Sequence, residues 1–292
     1  MGPRKFISLI DGAAAAHLCV ERIQRLKAVI VGCIRFLSAR LIKIIGNSLK
    51  GPFYLFHLLF PDKRFKIPRL SEPLIKMVSS KRIPKIIWQT NFTDRVTIAV
   101  YINYLFNRVM SPTYEYRFMD DNDRAAFIKQ YYSPRILDSY LSLQIGAARA
   151  DLWRILVLQH FGGVYLDIDA HIVWPMECII EPEYDELYLQ HKNNVLSNHF
   201  LASTANNMNL DSVINAIVDN IEKRSANDIS DLTGPGVLNG ALTGRTLARA
   251  PYKITCYQGT FTNEFFQYID HPHGKWFRAQ KHINIVKRAP IR

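Results

Sequence analysis

From residue 83 onward, short apolar runs rich in β-branched residues alternate with longer stretches of helical spacing. Ile83-Pro84-Lys85-Ile86-Ile87-Trp88-Gln89 predicts a first buried strand. Residues 96–110 carry helical spacing, and Tyr114 to Met119 alternate as a second strand. Asp120-Asp121-Asn122-Asp123 is a turn able to cap a helix from Arg124 to Tyr131. Ser133-Pro134 opens another short helical stretch. Residues 143–160 predict the clearest helix, with Ile145, Ala148, Leu152, Ile155, Leu156 and Leu158 on its apolar face. Gly162-Gly163 ends it as a C-cap and turn. Val164 to Asp169 then reads as a strand whose last residues turn polar. Strand and helix in alternation predict an α/β sheet flanked by helices, with functional residues at strand ends.

Before residue 83 the pattern changes. Residues 18–45 are rich in Leu, Ile and Val but are interrupted by Arg22, Arg25, Lys27, Arg35, Arg40 and Lys43. A spanning helix is not expected, because each cation at a bilayer centre costs about 2.5–3.5 kcal/mol even on lenient scales. Wound as a helix, Arg22, Arg25, Arg40, Lys43 and Lys50 fall within an arc of roughly 80°, with Arg35 and Lys27 outside it. This imperfect amphipathic helix suits an anionic membrane surface, or else packs on the body with its basic face solvated. Phe53, Tyr54, Phe56, His57 and Phe60 form an aromatic cluster for the interface or for the core. Pro61, Pro68 and Pro73 mark residues 61–82 as a lead-in. The expected division is therefore a basic helical segment and linker over 1–82 and a main domain over 83–292. The start of the chain lacks the features of a secretory signal.

Charge sharpens that division. Of the formal net charge of +12, residues 1–80 supply 14 Lys/Arg against 4 Asp/Glu, and residues 81–292 supply 23 against 21. The main domain is nearly neutral, which argues against a nucleic-acid partner. A hydrophobic fraction of 48% over 292 residues allows a full core. Cys19, Cys33, Cys178 and Cys256 are far apart with no zinc spacing, and read as free thiols in a reducing compartment.

The candidate chemistry lies in Gly162-Gly163-Val164-Tyr165-Leu166-Asp167-Ile168-Asp169. In an extended segment Asp167 and Asp169 project to one side, where they repel unless a cation lies near. A divalent ion with oxygen ligands relieves the repulsion, holds a diphosphate, and stabilises charge on a departing nucleoside diphosphate. Asp151 and Arg154, at i and i+3 on the preceding helix, share a face within apolar surroundings, so a partly buried polar role is expected. Paired carboxylates of a glycoside hydrolase fit poorly, since an i, i+2 pair does not flank a bond.

The stretch Gly146 to Ala170, GAARADLWRILVLQHFGGVYLDIDA, resembles the sugar-binding region of glycosyltransferase family 32. That family includes bacterial capsule and O-antigen transferases and the yeast α-1,6-mannosyltransferase type. The clostridial glucosylating toxins share its spacing of Asp, Arg three later, then Asp-x-Asp. IPKIIWQT at 83–90 and TGPGVLNGAL at 233–242 are also similar to family segments. The resemblance implies a GT-A-type fold with a mixed, mainly parallel sheet. It also implies a nucleotide-sugar donor such as a UDP- or GDP-hexose, Mn²⁺ or Mg²⁺, and transfer with retention to a glycan or lipid-linked glycan. By position, Asp151 and Arg154 are implied to contact the donor, Asp167 the sugar and ribose, and Asp169 the metal. Asp167 and Arg154 are the residues expected to carry catalysis. Trp88 is implied to lie against the base and Trp276 to clamp the diphosphate. His271, five before Trp276, is the second metal ligand implied, with His273 as the alternative. Lys275 stands where the family usually has Ser. The expected setting is bacterial surface-polysaccharide synthesis, peripheral on the cytoplasmic face of the membrane. A toxin-type transferase acting on protein, or a non-enzymatic membrane-surface module, are the alternatives.

Overall fold

The computed structural model describes residues 3–287, with side chains described for Arg22, Leu26 and residues 28–287. The side chains of Arg25, Lys27 and Cys19 therefore lie outside the described residues. A long helix α1 (Pro3–Leu59) leads into β1 (Phe65–Lys66), β2 (Leu70–Ser71), β3 (Ile86–Thr90), β4 (Arg95–Val96) and α2 (Ile98–Met110). Next come β5 (Glu115–Met119), α3 (Asp121–Tyr131), α4 (Pro134–Ser142), α5 (Gly146–Phe161), β6 (Gly163–Leu166), β7 (Ala170–Ile172) and α6 (Met176–Ile179). The chain continues through β8 (Glu186–Gln190), β9 (Leu196–Ser203), α7 (Met208–Lys223), α8 (Ile229–Leu232) and α9 (Pro235–Ala241). It closes with β10 (Arg249–Pro251), β11 (Cys256–Gln258), α10 (Glu264–Tyr268) and α11 (Trp276–His282).

Seven strands form one sheet in the order β10-β8-β9-β6-β3-β5-β2. Pairing is parallel for β3 with β5 and β6 and for β10 with β8, and antiparallel elsewhere. Five of the seven strands thus run one way, with β9 and β2 reversed, so the sheet is mixed and mainly parallel. Both faces are covered. Val164 and Leu166 of β6 pack with Ile87, Phe118, Phe200 and the α2 side chains Val100 and Tyr104. Tyr165, between them, packs on the opposite face with Trp88, Trp153 and α5 and α7. This period-2 alternation in a strand buried on both sides is what a sheet between two helical layers demands.

α5 is buried over its whole circumference from Asp151 to Gln159. Gly162 caps it at φ 67°, donating its N–H to Leu158 O. Gly163, at φ 108°, opens β6 so close to β3 that a Cβ there would lie 2.6 Å from Ile86 O. Only glycine fits both demands. Asp120 caps α3 in a reciprocal capping box with Asp123, as the acidic turn predicts.

Two sequence expectations are corrected. The strand predicted over 164–169 ends at Leu166, and Asp167 to Asp169 form a turn closed by Ala170 N–H to Asp167 O at 2.9 Å. The lead-in also contains strands. β1 pairs with β4 and β2 pairs with β5, and Ile67 between them is fully buried.

α1 touches the body along one stripe. Ala39, Gly46, Phe53 and His57 are buried there, at spacings that keep one face inward. The aromatic cluster divides. Phe53 and His57 are buried against Phe266, while Phe60 is exposed. The cations also divide. Lys50 donates to Gly259 O, Lys43 lies over Tyr257, Arg35 donates to Cys178 O, and Arg40 is exposed. The outward face instead carries exposed Leu37, Leu41, Ile44, Leu55 and Leu58. Among the described residues, no helix is long and apolar enough to cross a membrane.

Candidate active site

β3 and β6 run parallel and end side by side, and a cleft of about 970 Å³ opens beyond their carboxyl ends. That is the position at which open α/β sheets bind ligands, and the volume suits a nucleotide-sugar-sized molecule. β9 runs the other way, and its register of Leu166 with Phe200 carries Ser197, Asn198 and His199 past the end of β6 into the cleft. The first half of α5, the Asp167–Asp169 turn, Gln258 and the loop from His271 to Trp276 complete the walls.

Arg154 is the centre of a buried web. Its Nη2 lies 2.9 Å from Asp151 Oδ1, and its Nη1 lies 3.1 Å from Asp167 Oδ1 and 2.6 Å from Asn198 O. Its guanidinium sits 4.5 Å over the Tyr165 ring. Asp151 is further bound by Asn198 Nδ2 at 2.9 Å and Thr233 Oγ1 at 3.2 Å. Burial pushes the Asp151 carboxyl up to about 6, with Arg154 opposing the rise and Asp167 adding to it. Arg154 itself is raised by Asp167, Tyr165 and Asp151 against the burial that lowers it, and stays charged. Asp151 is thus engaged on both oxygens by protein groups, and it fixes Arg154.

Asp167 is equally held. Tyr165 Oη donates to its Oδ1 at 2.7 Å, and its own N–H donates to His199 O at 2.9 Å. Gln89 Nε2 donates to its carbonyl at 3.0 Å. Gln258 Nε2 donates to Asp167 Oδ2 at 2.8 Å and to Asp169 Oδ1 at 3.3 Å. Asp169 is pushed up to about 6 by burial and by Asp167, with the Gln267 and Gln258 amides opposing.

The two carboxylates therefore face a common point, as the i, i+2 spacing implies, although a turn and not a strand achieves it. An oxygen donor pair of this kind fits Mg²⁺ or Mn²⁺, which take one or two protein carboxylates and complete their shell with phosphate oxygens and water. Among the described residues, no three His, Cys, Asp or Glu side chains gather as a preformed metal cage. His271 and His273 both line the cleft with Asp169, and His271 lies over Phe92 with ring centroids 5.5 Å apart. Gly274 permits that placement, since a Cβ on it would overlap the His271 ring. Trp276 lines the cleft and is 39% exposed, open to a ligand.

Trp88 is not in the cleft. Its side chain is fully buried between Trp153 and Phe161, and its Nε1 donates to Gly162 O at 2.9 Å. A base cannot reach it. The aromatic at the end of the same strand that does line the cleft is Phe92.

Residues 99–193 match the family model described as "Glycosyltransferase sugar-binding region containing DXD motif". The likeness is to glycosyltransferases. Inositol phosphoceramide mannosyltransferase 3 of Schizosaccharomyces pombe is 31% identical over 123 residues, covering 41% of this chain and 33% of that protein. Mannosyl phosphorylinositol ceramide synthase CSH1 of Saccharomyces cerevisiae is 37% identical over 87 residues, covering 30% of this chain and 23% of that protein. The chain thus matches a third or less of the length of these relatives. Among solved structures, PaToxG Glycosyltransferase superposes with a TM-score of 0.46 at 16% identity, covering 86% of this chain and 85% of that one. The family match and the named relatives support an enzyme of the glycosyltransferase class.

Sequence reasoning missed four residues. Asn198, Thr233, Gln258 and Phe92 lie far from the Asp-x-Asp run in sequence. Thr233 alone had a signal, as the first residue of the Thr-Gly-Pro segment at 233–235.

Proposed function

We propose that the chain transfers a hexose from a nucleotide-diphosphate sugar to an acceptor hydroxyl, with retention, on a GT-A-type fold. The observation that carries this reading is the convergence of Asp151, Arg154, Asp167 and Asp169 on one cleft at the ends of β3 and β6. Asp169 would hold Mn²⁺ or Mg²⁺, with His271 as the side chain nearest in role, and the ion would offset charge on the departing diphosphate. Arg154 places its charge beside Asp167 and orients that carboxylate toward the sugar. Arg149, which lines the cleft with no carboxylate partner among the described residues, and the open N-terminus of α5 supply further positive potential for phosphate oxygens. Trp276 and Phe92 offer the faces for diphosphate and base.

The relatives' names support mannose as the first sugar to test. A bacterial surface polysaccharide and a phosphoceramide of the kind those names carry are the acceptors to compare. The apolar outer face of α1 supports a peripheral position on a membrane. Leu41→Glu with Leu55→Glu then removes sedimentation with vesicles containing phosphatidylserine while transfer to a soluble acceptor persists.

The test of the catalytic reading is a panel of UDP- and GDP-hexoses with Mn²⁺, Mg²⁺ or EDTA. One donor is expected to be hydrolysed or transferred only with a divalent cation, and Asp169→Ala to abolish it. Full activity of Asp169→Ala in EDTA refutes the metal role, and nucleotide-sugar-independent sugar release refutes transfer.

A further inference from the structure

The point between Asp167 and Asp169 is occupied by a group of this chain. Gln258 Nε2 stands 2.8 Å from Asp167 Oδ2 and 3.3 Å from Asp169 Oδ1, donating one N–H to each. A primary amide nitrogen has two donors, so it satisfies one oxygen of each carboxylate at once. Two carboxylates held this close repel one another unless positive charge lies between them, and the amide supplies the positive ends of two N–H dipoles.

The backbone around Gln258 is pinned on both sides. β11 pairs antiparallel with β7 so that Gln258 lies opposite Ala170, the residue after Asp169. Gly259 donates its N–H to Asp169 O at 3.1 Å and accepts at its carbonyl from Lys50 Nζ at 2.8 Å. Thr260 lies so close under α1 that a Cβ on Gly46 would be 2.5 Å from its Cγ2. The Gln258 side chain, by contrast, is exposed to the cleft. What can move is therefore the side chain, and rotation about its own bonds withdraws the amide without disturbing either strand.

We propose that Gln258 is a positioning residue that holds the place of the cation. In the metal-free protein its amide keeps Asp167 and Asp169 turned toward a common point, and an arriving divalent cation displaces it. The amide therefore competes with the cation, and its removal tightens metal binding. This inference rests on the reading of Asp169 as a cation ligand.

Mn²⁺ alone, titrated into the full chain and followed by electron paramagnetic resonance of free Mn²⁺, tests it without donor or turnover. Gln258→Met, which keeps the side chain's length without its donors, is expected to bind Mn²⁺ about five- to tenfold more tightly, the scale of one net hydrogen bond, because the exposed amide exchanges its two contacts with water. Its metal-free melting temperature falls, and saturating Mn²⁺ restores it. Gln258→Glu places a third carboxylate at the point and tightens binding further. Unchanged or weaker binding by Gln258→Met, with wild-type binding intact, overturns the placeholder role whatever Gln258→Glu does, and leaves the cation role of Asp169 standing. No Mn²⁺ binding by wild type or either variant overturns both.

Discussion

Arg154→Met is the most direct test of the web that organises the cleft. Arg154 and Asp151 are only 5% and 6% exposed, and Arg154 compensates both Asp151 and Asp167 at 2.9 and 3.1 Å. Methionine fills much of the same volume but removes the cation. Asp151 is then buried, charged and left with two neutral donors, Asn198 and Thr233. Breaking a buried pair in this way costs about 3–5 kcal/mol. The pH dependence carries the signature. Burial already raises the Asp151 carboxyl to about 6, so the fold favours its neutral form. A raised carboxyl stabilises the fold at low pH, and that contribution is lost as pH rises through the folded value. Without Arg154 the folded value rises further. The loss caused by Arg154→Met is therefore greatest near pH 8, shrinks as pH falls toward 6 and levels off below it. Adding Asp151→Asn to Arg154→Met should recover about 1–3 kcal/mol at pH 8, since the two residues are in contact and their effects do not add. Urea unfolding at pH 8 and pH 5.5 measures all three. A loss under about 1 kcal/mol, equal at both pH values, refutes the buried web.

Gly163→Ala should destabilise by about 2–3 kcal/mol, because φ 108° is strained for alanine and its Cβ would meet Ile86 O at 2.6 Å. Gly240→Ala, with nothing within 4 Å, should leave the melting temperature unchanged or higher. Trp88→Phe should lower stability by about 2–4 kcal/mol, through the cavity it leaves in the core and the lost bond to Gly162 O, and leave donor KM unchanged. Phe92→Ala should do the reverse, raising donor KM at nearly constant melting temperature; a KM effect confined to Trp88→Phe would restore Trp88 to the base site.

The parts of the fold legible in the sequence are those set by local periodicity and by glycine and aspartate chemistry. β3, β5, α3, α5 and the Gly162-Gly163 break are examples. The termination of β6 at Leu166 is not legible, because it is set at the Asp167 carbonyl, which closes a turn with Ala170 N–H and accepts from Gln89 Nε2, a residue distant in sequence. The face that Trp88 occupies is hidden from the sequence for a related reason. Its position in the strand is set by the motif, but which face it occupies depends on register with β5 and β6, and that register puts it with Trp153 and Phe161. Helical geometry alone predicts the basic arc on α1. Lys43 and Lys50 have partners at the end of β11, Tyr257 and Gly259, so part of the arc faces the body and the apolar residues face out. Gln258 and Asn198 carry no local signal; strand pairing with β7 and β6 brings them in.

The two aspartates of the motif differ in what they have left to give. Both oxygens of the Asp167 side chain are engaged, Oδ1 by Tyr165 and Arg154 and Oδ2 by Gln258, and its backbone is fixed by His199 and Gln89. Asp169 shares one amide donor with Asp167 through Gln258, with Gln267 beside it. With Gln258 withdrawn, Asp169 has the greater acceptor capacity left for an ion, while Asp167 stays held through Oδ1 by Tyr165 and Arg154 and is able to orient. Asp167→Asn, whose amide cannot accept at both positions, should therefore weaken the Arg154 web and lower stability by about 1–3 kcal/mol. Asp169→Asn should leave stability the same or higher at pH 8, since it removes a charge that burial penalises, while Mn²⁺ binding falls at least tenfold. The same two substitutions with the effects exchanged would mean that Asp167 is the ligand and that the roles assigned to the pair are inverted.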